Sequence, residues 1–203
     1  MGVIEMRIAF WSLLCVSIVL LAVGPVRAGT PHLSIYFDPE YTQTSAECHG
    51  YEMGYLYIVA EDFNVFIAGL EFSVDYPPEI LWLADYDTPP VTLGNTPTGI
   101  SMAWALPQNG FAPLQVLRVI FFWDCQQCTR GDIPLCVKAH PYSGYVRATR
   151  FPDYDFVYAK VQAACICPMC GLSPMCAGST CSCPEPPVPV EEMSWGKIKE
   201  MFR

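Results

Sequence analysis

FIAGLEFSVD, residues 66–75, alternates apolar and polar side chains: Ala68, Leu70, Phe72 and Val74 fall on one face, Gly69, Glu71, Ser73 and Asp75 on the other. Period two sustained over eight residues describes a half-buried β-strand, because successive side chains of an extended chain point to opposite faces. GISMAWA repeats the pattern with Ile100, Met102 and Trp104 inward. LQVLRVIFFWD is apolar on both faces apart from Arg118, which predicts a central strand covered on two sides. Further strands are expected at LSIYF, GYLYIVA, EILWLA, IPLCVKA, GYVRAT and DFVYAKV. Between them stand YPPE, DTPP, GNTPTG, PQNGFAP, TRGD and HPYSG, whose Pro, Gly, Asn and Asp break helices and close turns. About nine short antiparallel strands, with no helical apolar stripe and no internal repeat, predict an all-β fold. Its type is an Ig-like or jelly-roll β-sandwich.

The N-terminus sets the compartment. Residues 1–28 hold an early base, Arg7, a hydrophobic run from Ile8 to Gly24, and a Val-Arg-Ala ending. That order is the secretory signal pattern, with cleavage expected after Ala28. Leu14 before Cys15 is too large for a lipidation site, and no later stretch is apolar enough to span a bilayer. Removing residues 1–28 takes Lys and Arg from 11 to 9 and Asp and Glu from 20 to 19, leaving a net charge of −10. A chain this acidic offers no footprint for a phosphate backbone, so nucleic acid is excluded as a partner. The expected localisation is exported: periplasmic, cell surface or extracellular.

Cys15 leaves with the signal, and ten cysteines remain: Cys48, Cys125, Cys128, Cys136, Cys165, Cys167, Cys170, Cys176, Cys181 and Cys183. An even number in an exported chain fits full disulfide pairing. Six of them crowd residues 165–183. A tetrahedral zinc site usually draws on two C-x2-C knuckles a dozen or more residues apart, which one short cluster does not supply. Export also tends to oxidise the thiolates that soft metals need. No metal and no cofactor is expected. Spacing leaves the connectivity open, and Cys165 and Cys167 are expected to take different distant partners because neighbouring Cβ vectors diverge in extended chain.

VFIAGLEFSVDYPPEILWLADY, followed by GISMAW and LQVLRVIFF, resembles the cohesin-like and related carbohydrate-binding Ig-like sandwiches of bacterial exported proteins. In those families such a strand leads through a Tyr-x-Pro turn to an aliphatic strand, and a late apolar strand ends before a polar turn. The resemblance spans residues 58–124 and implies the sandwich architecture.

Other constellations have ordinary explanations. WDCQQC, residues 123–128, has the C-x-x-C spacing of a redox centre, but TRGD follows at once and leaves no room for the helix that lowers a catalytic thiol's pKa. His32, His49 and His140 are far apart, and Ser143 beside His140 lies in no nucleophile elbow. Glu61 and Asp62 with Asn64, Asp85 with Asp87, and Asp153 with Asp155 could hold Ca²⁺ or act as paired carboxylates, yet no Ca²⁺-loop motif is present. The eleven tyrosines suit either stacking on sugars and proteins or cross-strand pairing.

Beyond Cys183, PEPPVPVEE reads as an extended spacer. MSWGKIKEMFR follows, with Trp195, Ile198 and Phe202 at i, i+3 and i+7 and Lys197, Lys199 and Arg203 around the turn. That spacing predicts a short basic amphipathic helix, capped by Ser194. Its expected role is docking on a partner or a membrane surface, the alternative being plain disorder. The chain therefore divides into a signal peptide (1–28), a β-sandwich (29–164), a disulfide-rich segment (165–183), a Pro-rich spacer (184–192) and the tail (193–203). The expected function is a non-enzymatic binding or structural module for a glycan or protein ligand. The alternative is a thiol-redox or soft-metal protein centred on residues 165–183. Thiol titration of the exported, unreduced chain should return zero free thiols; four or more, with bound metal, favours the alternative.

Overall fold

The computed structural model describes residues 29–48, 52–123, 133–168, 181 and 183–187. Among these there is no helix, and thirteen strands form two facing sheets. In chain order the strands are β1 (His32–Tyr36), β2 (Ser45–Cys48), β3 (Met53–Glu61), β4 (Phe66–Asp75), β5 (Ile80–Tyr86), β6 (Val91–Asn95) and β7 (Gly99–Asn109). They continue as β8 (Leu114–Trp123), β9 (Ile133–Lys138), β10 (Arg147–Phe151), β11 (Phe156–Tyr158), β12 (Lys160–Val161) and β13 (Ala164–Pro168). The first sheet runs β12-β1-β3-β8-β5. The second runs β11-β10-β4-β9-β13-β2, with β7 also paired to β4 and β6 paired to β7.

All nine expected strands are present. DFVYAKV is divided, because the chain crosses between sheets at Ala159: β11 pairs with β10 in the second sheet, while β12 pairs with β1 in the first. The additional strands are SAEC, VTLGN and ACICP, short segments without a row of bulky alternating residues. Two pairs, β1 with β12 and β2 with β13, are parallel, where only antiparallel pairing was expected. The remaining pairs are antiparallel.

Alternation places the core between the sheets. Leu33 and Ile35 of β1, Leu56 and Ile58 of β3, and Leu117, Val119 and Phe121 of β8 face Ile67, Leu70 and Phe72 of β4 and Ile100 of β7, all essentially without solvent contact. In β4 the expected inward row holds from Leu70 to Val74, but Ile67 rather than Ala68 fills the next core position. A register shift between Ile67 and Gly69 resets the alternation there, as a bulge does. β8 also departs from expectation. It lies between β3 and β5, yet only one face is covered: Arg118, Ile120 and Phe122 on the other are half-buried.

The cysteine-rich segment enters the sheet. β13 begins at Ala164, so it straddles the expected boundary between residues 164 and 165, and it is inserted between β9 and β2. Pro134 of β9 stands opposite Cys165, where the absent proline N–H does no harm: the Cys165 N–H instead bonds the Thr44 carbonyl at 2.8 Å, on the β2 side. Asp38 accepts hydrogen bonds from Thr42 N, Thr42 Oγ1 and Gln43 N, closing the loop that leads into β2.

Two disulfides tie the chain beyond β13 to this edge. Cys136 of β9 bonds Cys183 and Cys165 of β13 bonds Cys181, each with Cα atoms 5.6 Å apart. They close loops spanning 47 and 16 residues, worth about 4 and about 3 kcal/mol on the chain-entropy account. Within residues 181 and 183–187 only Pro186 is buried, so these crosslinks carry much of the segment's attachment. Cys48 and Cys167 lie on neighbouring strands, while Cys125, Cys128, Cys170 and Cys176 lie outside the described residues. Reduction is expected to deprotect the amides of β13 and β2 in hydrogen exchange while β3, β4 and β8 remain protected; simultaneous opening of all five strands contradicts this arrangement.

Candidate binding face

The solvent side of β6, β7, β4, β10 and β11 forms one continuous surface. Register aligns Leu93, Ser101, Glu71, Arg147 and Tyr158 in one row and Val91, Ala103, Gly69, Thr149 and Phe156 in the next. Ser101 and the charged Glu71 and Arg147 occupy the middle of the first row, the smaller Ala103, Gly69 and Thr149 the middle of the second, and large apolar residues the ends of both. The result is a shallow cleft of about 660 Å³, floored by Gly69, Ser101, Ala103 and Thr149. Leu93 and Leu106 on one rim are 71 % and 76 % exposed, and Tyr154 on the other is 63 % exposed.

Local sequence explains this shape. Gly69 lies so close to β7 that an added Cβ would meet the Met102 carbonyl oxygen at 2.9 Å, which favours glycine on the floor. Residues 104–107 of β7 lie opposite the single residue Ala68, because the pairing moves from Gly69 with Ala103 to Ile67 with Gln108. That wide irregularity puts Leu106 on the rim. Phe151 packs edge-on against Tyr154 at 5.9 Å, fixing the opposite rim.

One ion pair borders the cleft: Arg147 Nε donates to Glu71 Oε2 at 2.8 Å, and the guanidinium lies 3.9 Å from the Phe156 ring centroid. Both side chains are partly exposed, so the pair contributes little stability. The pair places one positive and one negative group at fixed positions beside the apolar cleft.

A smaller hollow adjoins the pair, lined by Ser101, His140, Tyr142 and Ser143. His140 Nε2 is 3.4 Å from Ser101 Oγ, and His140 Nδ1 accepts the Tyr142 N–H at 3.2 Å. In the neutral ring that acceptor role puts the proton on Nε2, which then donates toward Ser101 and has no lone pair with which to take the hydroxyl proton. The geometry orients the ring without making a nucleophile–base pair.

The hairpin carrying Leu93 is held by a polar network. Tyr76 OH lies 2.7 Å from Thr96 Oγ1, Thr96 Oγ1 donates to Asp85 Oδ1 at 2.7 Å, and Thr96 N donates to Asp85 Oδ2 at 2.8 Å. Trp82 Nε1 donates to the same carboxylate at 3.0 Å. Burial pushes the Tyr76 hydroxyl far above its ordinary range; the bond to Thr96 opposes that shift and the Asp85 charge adds to it. Gly94 and Gly99, at φ of +82° and +105°, supply left-handed backbone on either side of the Asn95–Thr98 turn.

The other sequence candidates are dispersed. His32 pairs with Glu61 at 3.3 Å, at the C-terminal end of β3, and Glu61 also accepts from Tyr36 OH. Asp87 pairs with Arg118, and Asp153 and Asp155 with Arg150. Among the described residues no group of three or more His, Cys, Asp or Glu is placed to hold a metal ion. Several tyrosines pair with other rings, Tyr36 with Tyr41, Tyr41 with Tyr57, and Tyr145 with Tyr158. His49, Trp195, Ile198 and Phe202 lie outside the described residues. Sequence reading missed the face because Val91 and Leu93 stand in a strand of only five residues between turn segments, and Leu106 lies in the irregular stretch of β7. The one signal was the outward polar set of β4, Gly69 and Glu71, with small residues on both neighbours.

No protein-family model matches the chain, and no curated protein matches it. Solved structures do. CaCohA2 of Clostridium acetobutylicum, in complex with a CaDoc0917 variant, superposes with a TM-score of 0.50 at 12% identity over 69% of this chain and 100% of that one. The seventh ScaB type I cohesin of Pseudobacteroides cellulosolvens gives 0.48 at 11% identity, over 72% and 96% of the two chains. A non-cellulosomal cohesin of the archaeon Archaeoglobus fulgidus gives 0.47 at 10%, over 68% and 91%. At these identities the likeness is one of fold, and the fold is a cohesin-like β-sandwich. Thr96→Val should leave Tyr76 OH and Asp85 short of a partner and destabilise by about 1–3 kcal/mol in chemical denaturation, whereas Thr98→Val on the exposed side of the turn should change stability by less than about 1 kcal/mol.

Proposed function

We propose that this protein is an exported, non-catalytic module of the cell surface or periplasm that binds another protein across the β6-β7-β4-β10-β11 face. The observation that carries the reading is the cleft itself: exposed Leu93, Leu106, Phe151 and Tyr154 around a floor bordered by the Glu71–Arg147 pair. Exposed apolar surface rimmed by polar groups marks interaction sites on soluble domains. Aliphatic anchors beside a charge pair match the composition of protein interfaces, with the pair setting register and specificity.

The fold supports the same reading by analogy, since CaCohA2 was solved with CaDoc0917 bound, and other cohesins with dockerins. A glycan ligand remains the alternative on this face, since Phe151 and Tyr154 also offer rings on which a sugar could stack. The thiol and soft-metal alternative needs thiolates, and the sulfurs of Cys136, Cys165, Cys181 and Cys183 are bonded in disulfides. Disulfides accord with an oxidising compartment, and with the signal peptide expected at residues 1–28.

A photo-crosslinking side chain at Ser101 should capture a protein from the exported fraction of the native cell, and one at Gln162 should not. Leu93→Glu or Leu106→Glu should abolish the Ser101 adduct, and Glu71→Arg should weaken binding by about tenfold or more, since reversing a buried charge contact costs 2 kcal/mol or more. Equal adducts at both positions, or saturable glycan-array binding lost in Leu106→Glu, would overturn a protein-binding face.

A further inference from the structure

The first sheet carries a second apolar surface, opposite to the cleft. Across β3, β8 and β5 register aligns Met53, Phe122 and Leu81, then Tyr55, Ile120 and Ala84, then Tyr57, Arg118 and Tyr86. Leu83, the extra residue of the β5 register shift, stands exposed beside them. Met53 and Leu81 are 67% and 60% exposed. Arg118 does not make this surface polar: it lies between the Tyr55 and Tyr86 rings at 5.1 and 5.2 Å and pairs with Asp87 at 3.2 Å.

We propose that this surface is the dock for the chain's own C-terminal tail, with Trp195, Ile198 and Phe202 seated on Met53, Tyr55, Leu81, Leu83 and Ile120. The path of the chain points there. Val161 of β12 packs on the core and Lys160 faces outward, and the Lys160 ammonium pairs with Glu185 at 3.1 Å. Glu185 therefore stands beside the edge strand β12 of the first sheet, within reach of its outward-facing lysine. The Cys136–Cys183 disulfide fixes the start of that path.

The reach is sufficient. β12 is three strands from β8, about 14 Å at ~4.8 Å per strand, and the level of Tyr55 is six residues along β3 from Glu61, about 20 Å. The combined distance is about 25 Å. Residues 186–194, extended at about 3.1 Å each, span about 28 Å. A helix over 195–203 is about 14 Å long, close to the roughly 14 Å between the Met53 and Tyr86 rows. Charge agrees as well: Lys197, Lys199 and Arg203 meet a rim that holds Glu52, Glu79 and Asp87. Nine or ten residues make no stable helix alone in water, and an apolar surface gives this one its support.

Hydroxyl-radical footprinting of the full, disulfide-intact chain tests both sides of the contact. Replacing Trp195→Ala with Ile198→Glu should raise oxidation of Met53 and Leu81 severalfold and leave Leu93 and Leu106 on the opposite face unchanged. Reciprocally, Leu83→Glu or Leu81→Glu should accelerate tryptic cleavage after Lys197 and Lys199. Unchanged Met53 oxidation overturns the proposal, as does tail cleavage indifferent to both leucine variants. So does Met53 protection that grows with protein concentration, which assigns the surface to a second copy. Capture of the chain by phosphatidylglycerol vesicles through an already accessible tail assigns the tail to a membrane and also overturns it.

Discussion

The seam of side chains between the two sheets governs the rest of the structure, and its tightest point is Phe121. The Phe121 ring packs edge-on against Trp123 at 4.6 Å and lies directly over Gly54 on the paired strand, where a Cβ would come within 2.4 Å of it. Glycine at that position weakens the strand locally, and the gain is full burial of an aromatic ring, worth about 2–3 kcal/mol. Because Phe121 and its inward neighbours Leu117 and Val119 are committed to the core, Arg118, Ile120 and Phe122 are committed to the outside. The second apolar surface is thus a direct consequence of how β8 fills the core.

The two exposed surfaces differ in kind. On the second sheet, small residues and one fixed ion pair make a cleft with polarity at its border. On the first sheet, bulky side chains stand clear of a short-range Tyr–Arg–Tyr cluster and present hydrocarbon. A domain with both surfaces open would risk self-association. The proposed docking of the tail would cover one of them and leave the other free.

The disulfides also explain an otherwise weak piece of sheet. β2 and β13 are four and five residues long, pair in parallel, and lie at the border of the second sheet. Two crosslinks at β9 and β13 supply what such strands lack in buried area. In that sense the cysteine cluster belongs to the sandwich edge as well as to the segment beyond it, since Cys165 serves at once as a strand residue and as an anchor for Cys181.

Local pattern was enough for much of this architecture. Period-two alternation in FIAGLEFSVD, GISMAWA and LQVLRVIFFWD, with Pro- and Gly-rich turns between, determined nine strand positions and the sandwich class, because both signals depend only on near neighbours along the chain. Tertiary structure decided what depends on pairing between distant segments. Leu93 and Leu106 became a rim because β6 and the irregular end of β7 were recruited to the edge of β4. β8 proved one-sided because no layer covers its outer face. Cys136 met Cys183, and Cys165 met Cys181, because β13 was inserted beside β9. Such contacts are set by which strand lies next to which, and no local periodicity encodes that choice.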